Sequence, residues 1–247
     1  MFVEGYAPGS PSGPAAAMPE ISAPAPTEAA AHHAALLAAA VPTDDADHAF
    51  DLHVLACLLA VAIEESARER TALSAALGLS GVAIAELLAA WFPTFDRANL
   101  ALGDEAPAPE MEEELLRDLL KGYAIGAGQG PSPADLRAVL AEILPTAIAR
   151  RALRPDHLWQ DLGLADRGEL NRLLARHFPA LYAGNAANMR WKKYFYRKLC
   201  EAEGFSLCTA PSCSVCADFA SCFGAEDGES RMAAARRAVD RAAHPGI

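Results

Sequence analysis

The sequence predicts an all-α fold, and three observations carry that prediction. From residue 28 onward, apolar residues recur at the three- and four-residue spacing of a helix face. No sustained period-two run of β-branched residues marks a strand, and joints bearing Gly or Pro separate the apolar segments. With 247 residues and 52% hydrophobic content, the chain has material for one sizeable core or two small helical halves.

Residues 1–27 are rich in Pro, Ala, Gly and Ser and hold few large apolar side chains, so burial cannot offset the entropy of ordering; a disordered leader is expected. A helical region follows over 28–150. Asp47 opens a helix through Phe50, Val54, Leu55, Leu58, Leu59 and Ala62 to about Arg68, with Asp44, Asp45 and Asp47 at its positive end. Ser80 caps another through Leu87 and Leu88 to Trp91, stopped by Pro93. A third covers about Glu110 to Tyr123, and Ser132 with Pro133 opens a fourth toward Leu144.

One internal echo crosses these segments. Leu77-Gly78-Leu79, Leu87-Leu88 and Phe92-Pro93 recur as Leu162-Gly163-Leu164, Leu173-Leu174 and Phe178-Pro179, at an offset of 85 and then 86 residues. The echo hints at a duplicated helical unit, with the cysteine-rich tail attached to the second copy alone. Chance likeness between two amphipathic helices with Gly starts and Pro stops is the plainer alternative.

Five of the six cysteines lie beyond residue 199, and Cys208, Cys213, Cys216 and Cys222 read C-x4-C-x2-C-x5-C. Thiolates so close together suit a soft metal or an iron-sulfur cluster. Zinc sites usually use two close cysteine couples, whereas here only Cys213 and Cys216 form one, so the spacing favours a cluster over zinc. The small residues between them, with Pro211, let backbone amides approach the sulfurs. Disulfides are the third reading, but they need an oxidising compartment. The amino-terminal residues offer neither a positive n-region nor an apolar h-region, and a cytoplasmic location is expected. The longest apolar run, Val54 to Ile63, falls well short of the roughly 20 residues that cross a bilayer, so no membrane span is expected.

The segment from Met189 to Cys200, followed by Glu201, Gly204 and the four-cysteine cradle ending Cys222-Phe223-Gly224, resembles the nitrogen-fixation family NifQ. Asp161 to Leu164, Arg167, Glu169-Leu170, Leu173-Leu174, His177-Phe178-Pro179 and Asn185 are also similar to that family. The likeness is strong over about 155–225 and looser upstream. It implies a protein that supplies molybdenum for assembly of the nitrogenase iron-molybdenum cofactor, carrying it in a molybdenum-iron-sulfur cluster held by the four cysteines. Its partners would be molybdate and the cofactor-assembly proteins that accept the metal. The implied organisation is the leader, the helical region, a NifQ-like segment with its metal-binding loop over 151–225, and a helical or frayed tail over 226–247.

Arg190, Lys192, Lys193, Arg197 and Lys198 form a positive island in a chain of net charge -11. On a helix, Trp191, Tyr194, Phe195 and Leu199 would share an inward stripe while Lys192, Lys193 and Arg197 point elsewhere. The bland reading is a solvated face; the sharper one is a surface that guides molybdate or docks the acceptor. The short patch and the overall acidity argue against nucleic acid. Cys200 reads as a spare ligand or a packed thiol, and Cys57 as a small buried hydrophobe. His177 reads as a helix-end cap that could also reach the metal. His32 and His33 receive no site, and His48 and His53 are expected at the solvent boundary of the first long helix. The chain has no GxGxxG or Walker-type loop, no G-x-S-x-G elbow, no HExxH and no convincing catalytic carboxylate pair, so an enzyme is not expected.

Overall fold

A computed structural model describes residues 28–125 and 135–202, and within them every regular element is a helix. The leader 1–27, the four-cysteine cradle and the tail 226–247 lie outside the described residues, as do Ser132 and Pro133.

The first four helices are α1 (Glu28–Ala38), α2 (Ala46–Glu69), α3 (Leu73–Leu77) and α4 (Gly81–Trp91). Asp45 rather than Asp47 caps α2, its carboxylate accepting from the amides of Asp47 and His48. These are donors that the first helical turn leaves without internal partners. Ser80 caps α4 as expected, accepting from the Ala83 amide. α2 is the only described helix long and apolar enough to cross a bilayer, but its apolar stretch is largely enclosed by neighbouring helices.

The order then repeats as α5 (Met111–Tyr123), α6 (Leu136–Ala152), α7 (Leu158–Asp161) and α8 (Arg167–His177). α6 is capped by Asp135 and runs straight through Pro145, beyond the expected stop near Leu144. Proline costs a helix one backbone hydrogen bond. Here Leu140 and Leu144 before it and Ile148 and Ala149 after it are all buried in the core, which holds the two halves of the helix together.

The sequence echo has a structural counterpart. Gly78 and Gly163 both follow short helices and both adopt left-handed backbone, at φ +71° and +75°. α4 and α8 are each 11 residues long and end on a Phe with nearly the same conformation, φ −133° at Phe92 and −136° at Phe178. Both phenylalanines are fully buried. α9 (Pro179–Gly184) and α10 (Trp191–Ala202) complete the described chain, and one apolar core runs through both repeats and into α10.

Candidate functional site

α10 leads toward the cysteine cradle, and its inward stripe is the expected one. Trp191, Tyr194 and Phe195 are buried and Leu199 packs at the core's margin. The Trp191 indole donates to Asn171 Oδ1 at 2.8 Å, which fixes the start of the helix against α8. Cys200, two residues before the end of α10, is half-buried with a free thiol.

The five basic residues divide between different tasks. Lys192 turns inward and donates to Asp161 Oδ2, a carboxylate with no solvent exposure on α7, and to the Arg154 carbonyl. Burial opposes charge on Asp161 more than Lys192 assists it, so its pKa is raised. Arg197 and Lys198 each pair with Glu201, at 2.9 Å. Arg190 is half-buried and Lys193 is exposed. Lys192 is therefore a structural cation, and Lys193 is exposed on the same helix.

His177 is buried at the end of α8, where its Nε2 lies 2.9 Å from Asp51 Oδ1 on α2. Arg176 donates to the same carboxylate through Nε and Nη2, both at 2.7 Å. Burial opposes ionisation of Asp51, but the hydrogen bonds from His177 and Arg176 outweigh it and lower its pKa. This geometry serves the capping and packing role read for His177.

A second cluster was not anticipated as a unit. His53 and Cys57 lie one turn apart on α2, so they share a face, and α1 brings His33 over them. One ligand atom from each of His33, His53 and Cys57 falls within 4.8 Å of the other two. His33 Nε2 is 3.2 Å from His53 Nδ1, and Cys57 Sγ lies beside the same ring, 3.8 Å from Nδ1 and 3.5 Å from Nε2. Glu169, in the first turn of α8, approaches His53 Nε2 at 3.2 Å and is itself held by the Ala165 amide. An ionised carboxylate only accepts, so His53 Nε2 donates to it, and Nδ1 of a neutral ring is left to accept from His33 Nε2.

The cluster's electrostatics follow its burial. Desolvation, helped by His53, lowers the His33 pKa to about 4. Burial also pushes the Cys57 thiol up, with the Glu169 charge adding to the effect. Burial resists charge on Glu169 too, but its bonds from His53 and Ala165 prevail and lower its pKa. His53 lies at a three-helix junction with its side chain 25% exposed, in keeping with a solvent boundary, and Cys57 is buried as expected but beside an imidazole. The His53–Cys57 spacing was readable as one helix face. Nothing in the sequence signalled that His33 and Glu169, from two other helices, converge on it.

Comparison with known proteins places the chain in context. The family model described as NifQ matches residues 54–224, which include all four cradle cysteines. The chain is 53% identical over 193 residues to a protein NifQ homolog of Sinorhizobium fredii (strain NBRC 101917 / NGR234), covering 76% of this chain and 78% of that one. It is 37% identical over 171 residues to protein NifQ of Rhodobacter capsulatus, covering 68% and 87%. Protein NifQ of Azotobacter vinelandii is 37% identical over 158 residues, covering 61% and 78%. No solved structure matches.

Proposed function

The chain belongs to the NifQ family, and on that premise we propose that it carries molybdenum for assembly of the nitrogenase iron-molybdenum cofactor. The observation that carries the reading is the C-x4-C-x2-C-x5-C cradle, which falls inside the family match and follows α10. Cys208, Cys213, Cys216 and Cys222 offer four soft donors, a set suited to an iron-sulfur cluster. Such a cluster would supply sulfide for attaching the molybdenum cargo. The cradle thiolates would hold such a cluster chiefly through iron, which would leave molybdenum with a more exchangeable shell for handover.

Carrying and handing over metal requires ligands and a docking surface, not a general base or a substrate cleft, so the protein acts as a cytoplasmic carrier rather than a catalyst. Cofactor-assembly proteins are its acceptors. Lys193, exposed on α10, offers positive charge for drawing in molybdate or aligning the acceptor.

The test is anaerobic purification of the full chain followed by determination of molybdenum, iron, zinc and acid-labile sulfide. Iron, sulfide and molybdenum together, all lost in the Cys213→Ala/Cys216→Ala variant, support the carrier. Zinc without sulfide after metal-replete preparation, lost in that same variant, overturns it in favour of a zinc-stapled interaction module. An iron-sulfur electron carrier ranks last, since the sequence carries no recognised substrate-site motif.

A further inference from the structure

We propose that His33, His53 and Cys57 form a second metal site, separate from the cysteine cradle, that takes one divalent borderline ion such as zinc(II) or iron(II).

The distances carry the proposal. Zinc–nitrogen and zinc–sulfur bonds of ordinary length place tetrahedral ligand atoms about 3.3–3.6 Å apart. His33 Nε2 to His53 Nδ1 is 3.2 Å, His53 Nδ1 to Cys57 Sγ is 3.8 Å, and one ligand atom from each of the three residues lies within 4.8 Å of the other two. The His33 and His53 nitrogens need shift by only a few tenths of an ångström, while Cys57 Sγ, which lies nearer His53 Nε2 than Nδ1, must swing toward Nδ1 to join them on one ion.

The surroundings match what such sites use. Glu169 receives the far nitrogen of His53, the carboxylate–histidine arrangement that orients an imidazole toward a metal and raises its basicity. Two imidazoles and a thiolate are borderline-soft donors, which select zinc or ferrous iron over magnesium or calcium and give no purchase to an oxyanion such as molybdate. The side chains of His53 and Glu169 keep 25% and 29% of their exposure, so solvent reaches the junction although Cys57 is fully buried. Three protein ligands leave a fourth position for water or an exchanging group.

Binding has a definite proton balance. The ion bonds to His33 Nε2, His53 Nδ1 and Cys57 Sγ, and the Cys57 thiol proton leaves to solvent. The His33 proton shifts from Nε2 to Nδ1, while His53 keeps its own on Nε2 toward Glu169. One proton is released per ion, so affinity rises with pH. The ion would tie α1 to α2 directly, and α8 to both through Glu169.

Cobalt(II) titration tests the site in the full chain with Cys200, Cys208, Cys213, Cys216 and Cys222 all replaced by Ala, so that no other thiol contributes. One cobalt per chain, with a sulfur-to-cobalt charge-transfer band and tetrahedral visible bands that zinc bleaches, is the expected result. Cys57→Ala should abolish the charge-transfer band, His33→Ala should weaken binding further than Glu169→Gln, and Glu169→Gln should weaken it roughly 10- to 100-fold. Circular dichroism verifies that each variant is folded, and zinc should raise the thermal midpoint of the parent but not of Cys57→Ala. A folded parent that binds no cobalt, or a charge-transfer band that survives Cys57→Ala, overturns the proposal. Because the cradle is absent from the test protein, either outcome leaves the molybdenum-carrier experiment independent.

Discussion

Arg151 on α6 and Glu65 on α2 stand 86 residues apart and pair in the fully buried centre of the molecule. Arg154 and Glu69, 85 residues apart, pair one turn further out. The second separation is the echo's 85-residue offset ahead of α4, so Glu69 and Arg154 are equivalent positions that meet, while Glu65 and Arg151 fall one residue out of that register. The glycines agree reciprocally: a Cβ on Gly78 would touch Thr146, and one on Gly163 would touch Val61. Thr146 and Val61 are themselves 85 residues apart. Mutual contacts of this kind are what a two-fold relation between the repeats requires.

The central ion pair should behave as a unit. Arg151→Met removes a fully buried cation from the buried Glu65 carboxylate, and a loss of about 3 kcal/mol is expected. Glu65→Leu together with Arg151→Met removes both charges and should recover more than half of that loss. Urea denaturation of the four proteins in a double-mutant cycle checks the coupling; losses that simply add would refute it.

The two left-handed glycines should not tolerate alanine equally. A Cβ at Gly78 would meet the Thr146 methyl at 3.2 Å and the side-chain tips Arg150 Nε and Glu113 Oε1 at an ordinary 3.5 Å, so for Gly78→Ala backbone strain dominates and about 1–2 kcal/mol is expected. At Gly163 a Cβ would lie 2.7 Å from Val61 Cγ1 and 2.8 Å from the Cys57 carbonyl oxygen. Overpacking adds roughly 1–3 kcal/mol there, and the backbone oxygen cannot step aside. Thermal unfolding of the two variants under identical conditions should rank Gly163→Ala clearly below Gly78→Ala.

These contacts also mark how far the sequence could be read. Apolar spacing and end residues gave α4 to the residue, because Ser80, Trp91 and Pro93 act locally. They misplaced the end of α6, because Pro145 is a local stop signal and the packing of Ile148 and Ala149 that overrides it is not local. Trp191, Tyr194 and Phe195 were legible as an inward stripe, yet Lys192 was not legible as an inward cation, since its partner Asp161 sits 31 residues away. The junction of His33, His53, Cys57 and Glu169 was hidden for the same reason: three helices supply it, and only the His53–Cys57 pair shares one.

Acid should weaken the α2–α8 contact through Asp51. Its folded pKa lies below the unfolded value near 4, so the native state binds fewer protons. The stabilisation is therefore complete above that value and is lost as pH falls through the depressed folded pKa. Asp51→Asn should cost about 2 kcal/mol near neutrality, with the gap to the parent closing as pH drops below 4. Urea midpoints measured from pH 6 to pH 3 check this; a gap that stays constant would remove Asp51 as its source.

Lys192 and Lys193 are neighbours in the basic island but should fail in different assays. Lys192→Met leaves Asp161 buried without its cation, and about 2–3 kcal/mol of stability should go. Asp161 has a raised pKa, so its ionisation already opposes folding as pH rises from the unfolded value to the folded one. Removing Lys192 enlarges that cost, and mild acid should restore part of the stability by protonating Asp161. Lys193 is exposed, so Lys193→Glu should leave the thermal midpoint nearly unchanged. If α10 guides molybdate or the acceptor, that reversal of charge lowers molybdenum loading or transfer at low ionic strength. The deficit should shrink as added salt screens the surface charge. Loading and transfer that match the parent at low salt would confine the island's role to the Lys192–Asp161 contact within the fold.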